Sequence, residues 1–161
     1  MSDGYGALGT KPDQLQHIEL KHDDITVAVF GAHLSDQPLN GILRAWGATF
    51  VSTCVTTPVY RMYLVPGALV PGALVPSGQR RPGLVRVTDG GVAIAGELWR
   101  LPAAGFGRLV ESVTSPLAIG TVECAGIGSV KGFLCEAAVS QGTRDISAYG
   151  DWRGFLAGAV S

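Results

Sequence analysis

Charge is scarce in this chain. Only 16% of its 161 residues are Asp, Glu, Lys or Arg, and the formal net charge is -1. A balance so near zero gives no basic stripe for a nucleic-acid backbone and no cationic face for anionic lipid. Cysteine is sparse as well. Cys54, Cys124 and Cys135 are odd in number, widely spaced and form no C-x-x-C pair, and His17, His22 and His33 are not positioned to complete a cysteine site. A disulfide framework and a structural zinc are therefore excluded, and no metal or cofactor is expected. Each cysteine lies in an apolar or β-branched run and reads as a small buried side chain. No apolar run reaches the length of a membrane span, because Gly, Pro or a charge interrupts each one. The N-terminus, with Asp3, Gly4, Lys11, Pro12 and Asp13, lacks the basic-then-apolar order of a signal peptide, so a cytoplasmic protein is expected. Also missing are G-x-S-x-G, G-x-x-x-x-G-K-[ST] and a dinucleotide fingerprint; Gly126-Ile127-Gly128 is a turn between two strands.

What is present is a 47% apolar chain, long enough for one domain with a real core. Residues 1–24 are polar and irregular and read as a flexible tail; the domain runs over 25–161. Ile25–Phe30 reads as a buried strand, Gly31–Pro38 as a loop, and Leu39–Trp46 as a helix stopped at Gly47. Phe50–Thr57 and Arg61–Val65 follow as strands on either side of Pro58. The unit Pro-Gly-Ala-Leu-Val then occurs twice in tandem from Pro66, a slipped duplication that lengthens one surface loop, expected to be mobile and without chemistry. Gly83–Thr88 and Val92–Leu101 are strands read as a hairpin through Asp89-Gly90-Gly91. A helix starts near Pro102, two strands follow around the turn 125–128, and a short terminal helix packs Trp152 and Phe155. Many short strands with two or three helices predict an α+β domain, a small mixed β-barrel, closed or nearly so.

Val27–Leu34 (VAVFGAHL) concentrates the chemistry. A β-branched run stops at Gly31 and delivers a lone histidine into a loop, where an imidazole exchanges protons near neutral pH. The N–H groups of Gly31, Ala32, His33 and Leu34 are candidates for a small anion-binding nest. Tyr60 and Arg61, after Pro58, offer a directional hydroxyl and a planar fork for a carboxylate, against packing and a surface charge as the bland alternatives. Arg81-Pro82-Gly83-Leu84 is a similar presentation with less in its favour. Glu97 falls in a largely apolar strand on the face of Trp99, so it either meets a wet cavity or pairs with a base. Lys131 opens another strand as a second candidate cation.

The chain from about Thr26 to Phe155 resembles the C-terminal domain of allophanate hydrolase. The resemblance rests on VAVFGAHL, Pro38-Leu39-Asn40, Tyr60-Arg61-Met62-Tyr63 with Pro66-Gly67, and Arg81–Arg86. It continues in Gly96-Glu97-Leu98-Trp99 with Leu101-Pro102, Pro116–Val122, Val130-Lys131-Gly132-Phe133, Glu136, Asp145-Ile146 and Trp152-Arg153, all in the family's order. It implies a γ-glutamylcyclotransferase-like fold whose ligand loop follows the first strand. It also implies decarboxylation of N-carboxycarbamate, with His33 as the catalytic residue. The implied substrate is a small dianion. The residues' own chemistry, apart from the resemblance, offers loop N–H groups and a cation such as Arg61 or Lys131 to hold it. Cleaving its C–N bond requires a general acid to protonate nitrogen.

In that family the domain usually follows a long amidase region, and no Ser-Ser-Lys amidase signature occurs here. An excised domain or a stand-alone protein working with a separate amidase is expected, with a homodimer as the other candidate assembly. Two other readings stand beside this one. A γ-glutamylcyclotransferase-like enzyme on another small carboxylate requires Glu111 to be essential. A non-catalytic binding or assembly module partnering an amidase requires His33 to be dispensable.

Overall fold

The computed structural model describes residues 23–67 and 79–159. The expected tail up to residue 22 and most of the Pro-Gly-Ala-Leu-Val duplication lie outside the described residues. The elements are β1 (Asp24–Val29), α1 (Asn40–Ala45), β2 (Thr49–Val55), β3 (Tyr60–Val65), β4 (Arg81–Arg86), β5 (Ala95–Pro102), α2 (Ala103–Ser112), β6 (Leu117–Cys124), β7 (Gly128–Cys135) and α3 (Trp152–Ala159). Short 3-10 turns cover Ala137–Ser140 and Ser147–Tyr149.

Five strands form one mixed sheet in the order β2-β5-β1-β7-β6, and β3 and β4 form a separate antiparallel ribbon. β1 pairs antiparallel with β5 and parallel with β7, so it lies at the sheet's centre. Val27, Ala28, Val29 and Phe30 are all buried there, which explains why the run is continuously apolar rather than alternating. The α+β reading holds, but the sheet is not closed into a barrel. Its edge strands meet at one end only, through the bridge Thr56–Cys124 and the bonds Thr57 N–H to Glu123 (3.0 Å) and Ala125 N–H to Val55 (2.8 Å). Pro58, with no N–H to donate, ends that contact, and the chain leaves for the ribbon.

The hairpin expected around Asp89-Gly90-Gly91 does not form. β4 pairs with β3, and β5 pairs with β1 and β2. The intervening segment crosses from ribbon to sheet, with Val87 N–H bonded to Val59, Val92 N–H to Tyr60 and Ile94 N–H to the Thr56 hydroxyl. A Cβ at Gly91 would meet the Pro58 carbonyl oxygen at 2.6 Å, so this glycine serves a close crossing. The β6–β7 hairpin and the three helices form where the sequence predicts them. All three cysteines are buried and unbridged. Among the described residues no helix is long and apolar enough to cross a membrane.

Candidate functional site

The site begins where β1 ends. After Phe30 the chain turns tightly: Leu34 N–H donates to the Gly31 carbonyl (3.0 Å) and Leu39 N–H to that of Ala32 (2.8 Å). Buried Asn40 donates its side-chain amide to the His33 carbonyl at 2.9 Å, and Asp36 adopts a left-handed φ of 65°. Gly31 is required by a neighbour across the fold, since a Cβ there would stand 2.7 Å from the Pro82 ring. That contact sets the loop against the start of β4.

Glu97 secures the other side of the loop. Its Oε1 accepts the Ser35 N–H (2.8 Å), the Ser35 hydroxyl (3.1 Å) and the Trp99 indole N–H (3.1 Å). Arg153 donates to Glu97 Oε2 (3.3 Å) and to the Ser35 carbonyl (2.6 Å), joining α3 to the same point. Burial by itself raises the Glu97 pKa, but the bonds from Ser35, Trp99 and Arg153 outweigh it and hold the carboxyl below its ordinary value. Glu97 is thus a paired carboxylate that anchors the loop, and it does not line the cavity described next.

His33 is 9% exposed and stacks on Phe133, with ring centroids 4.8 Å apart. Burial lowers its pKa to about 4, so the imidazole is neutral at physiological pH. It lines a cavity of about 70 Å³ together with Phe30, Arg81, Pro82, Thr114 and Phe133. One water needs roughly 10–15 Å³ on such a measure, so there is room for a small molecule of several heavy atoms. No acidic side chain is in the described lining. Among the described residues no group of three His, Cys, Asp or Glu side chains is arranged for a metal ion.

The structure brings Gly31, Ala32 and His33 to this cavity and leaves the other candidates elsewhere. Leu34 is buried in the core, with its N–H committed to the turn. Tyr60 is fully buried and its hydroxyl accepts the Glu123 N–H (3.0 Å). Arg61 pairs with Asp145 (2.6 Å) and donates to the Gly90 carbonyl (2.6 Å). Exposed Lys131 reaches Thr121 (3.3 Å) in a separate shallow depression with Thr26 and Ser129. Glu111 is exposed on α2 and outside the lining.

Arg81 is the residue whose position the sequence understates. It opens β4, is 8% exposed, and donates from Nη1 to the Thr114 hydroxyl at 3.0 Å, while its Nε and Nη2 are buried with no partner among the described residues. The available signal is a guanidinium leading an otherwise buried strand: β4 is buried from Arg81 through Val85.

Residues 25–157 match the family described as allophanate hydrolase C-terminal domain. The chain is 33% identical over 151 residues to a urea amidolyase of Lachancea kluyveri, covering 91% of this chain and 8% of that protein. Against the crystal structure of Kluyveromyces lactis allophanate hydrolase it superposes with a TM-score of 0.74 at 33% identity, covering 94% of this chain and 23% of that one. A γ-glutamyl cyclotransferase structure shares the fold at a TM-score of 0.53 and 10% identity, over 76% of this chain and 69% of that one. The chain thus spans about a twelfth of the length of the amidolyase it matches.

Proposed function

Because this chain belongs to the allophanate hydrolase C-terminal domain family, we propose that it decarboxylates N-carboxycarbamate, the second step of allophanate degradation, with His33 as general acid. The substrate is a dianion whose nitrogen lies between two carboxylates. The C–N bond to one of them breaks and its electron pair passes to nitrogen, which takes the imidazolium proton. Carbon dioxide departs and carbamate remains; with one further proton carbamate falls apart to ammonia and a second carbon dioxide. An amidase that hydrolyses allophanate supplies the substrate.

The observation that carries this reading is His33, buried against Phe133 at a cavity whose described lining holds no acidic side chain. Burial disfavours imidazolium, and a dianion within a few ångströms favours it strongly in a medium that excludes water. The acid therefore becomes charged with the substrate rather than before it, and the proton is available only when there is a nitrogen to receive it. Gly31 and Ala32 line the same cavity, and their amides are the groups proposed to orient a carboxylate.

The test follows carbon dioxide and ammonia release from N-carboxycarbamate generated in place by a separate amidase. The protein is expected to accelerate release above the spontaneous background, and His33→Asn to abolish that acceleration. Equal rates with and without the protein would overturn the reading and favour a binding module.

A further inference from the structure

The cavity that His33 lines also carries a cation, Arg81, that no part of the proposed chemistry has yet used. We propose that Arg81 is the carboxylate anchor of this site, gripping one substrate carboxylate side-on through its Nε and Nη2 hydrogens; the proposal rests on reading the His33 cavity as the substrate site.

Three observations converge on it. Arg81 is more than nine-tenths buried and lines the same cavity as His33. Among the described residues its guanidinium makes one hydrogen bond, from Nη1 to the Thr114 hydroxyl, which ties that end of the fork. The two nitrogens left without a partner among the described residues are Nε and Nη2. Their hydrogens project in parallel from one edge of the guanidinium, the edge that meets both oxygens of a carboxylate at once. A buried donor without a partner is costly, and a buried unpaired cation more so. No carboxylate in the described lining offsets the charge. An incoming anion removes that cost, so the site is built for a ligand that carries its own negative group. The small volume and the apolar walls restrict that ligand to a compact carboxylic acid, of which malonate is a stable representative.

The experiment measures malonate binding calorimetrically for the wild-type chain, Arg81→Met and Arg81→Lys, beside the decarboxylation assay. Removing a charge-assisted two-pronged contact is expected to weaken binding roughly 30-fold or more in Arg81→Met. Arg81→Lys, which keeps the charge and loses the fork, is expected to weaken it about tenfold, and it decides the matter if the methionine variant does not fold. Malonamide, the neutral analogue, is expected not to bind. A ligand-free Tm in Arg81→Met at or above wild type separates an anchor held ready for an anion from an arginine that merely supports the fold. Malonate binding unchanged in both variants would overturn the anchor, and His33-dependent carbon dioxide release would then still stand. Binding lost in the variants of a protein that releases no carbon dioxide would uphold the anchor and overturn the decarboxylase reading. A wild-type chain that does not bind malonate overturns the anchor outright.

Discussion

Glu97, in the middle of β5, accepts the backbone N–H of Ser35 at 2.8 Å across 62 residues of sequence, so the loop that presents His33 is tied to the sheet at its far side. A carboxylate is suited to this post because it accepts four hydrogen bonds, from Ser35 N–H and hydroxyl, Trp99 and Arg153. Glu97→Gln keeps the shape and loses the charge. It is expected to cost about 1–3 kcal/mol in chemical denaturation, the usual range for charge-assisted buried bonds. The same substitution is expected to slow His33-dependent carbon dioxide release while the folded core remains, as near-ultraviolet circular dichroism would report. Wild-type stability in Glu97→Gln would show that the loop is held by its own turns.

His33 makes stability depend on pH with a definite sign. Its pKa is about 4 folded against an ordinary 6.5, so the unfolded chain takes up the proton first as pH falls. Its stability is therefore full above pH 6.5, declines between 6.5 and about 4, and is lower by ~3 kcal/mol once both states are protonated. Glu97 and Asp145, both held below their ordinary carboxyl values, lose their contributions only at lower pH, through and below 4.5 and 3.8 respectively. Between pH 7 and 5 these two carboxylates contribute little to the change, and the share of His33 is read by comparison with the variant that lacks it. The slope over that range is expected to flatten in His33→Asn.

Binding of a dianion should pull a proton into the site. Calorimetric titration of malonate at pH 7 in buffers of different ionisation enthalpy is expected to show net uptake of a proton, and His33→Asn to show little. Binding without uptake in the wild-type chain would mean that the imidazole stays neutral beside the ligand, and another acid would then be needed.

Gly31→Ala tests the contact between loop and ribbon. The added Cβ would stand 2.7 Å from the Pro82 ring, so β1's exit and the start of β4 must separate. A loss of about 1–3 kcal/mol is expected, typical of overpacking in a filled interior. The loss of malonate binding should be greater than that destabilisation implies, because Arg81 adjoins Pro82. Thermal melting and calorimetry on one variant give both numbers.

Arg61 and Lys131, each a reasonable cation from the sequence, serve as controls. Arg61 is occupied by Asp145 and the Gly90 carbonyl, and Lys131 stands in a different depression. Arg61→Met and Lys131→Met are expected to leave malonate affinity within about twofold of wild type. The stability cost at Arg61 should stay near or below ~1 kcal/mol, since both partners of that pair are about one-third exposed. A tenfold loss of affinity in either variant would mean that the ligand lies outside the His33 cavity.

Local pattern was enough to determine the buried β1 run, the loop presenting His33, the three helices, the β6–β7 hairpin and the buried cysteines. Each depends on periodicity, turn residues or composition within a few positions of chain, where steric and solvation preferences act directly. Partner choice between strands is not local. Asp89-Gly90-Gly91 has the composition of a hairpin, yet β4 pairs with β3, and its open position beside the loop lets Pro82 meet Gly31. That pairing, with the packing of β4 against β7 and the loop, brings Arg81 to the cavity that His33 lines, although 48 positions separate them in sequence. The same holds for Glu97: its burial could be read from an apolar strand, but its partners Ser35 and Arg153 come from distant segments. Arg61, Arg81 and Lys131 are equivalent as isolated cations. Packing distinguishes them, because only tertiary structure decides which cation is paired, which is left in water, and which is buried with two N–H groups to spare.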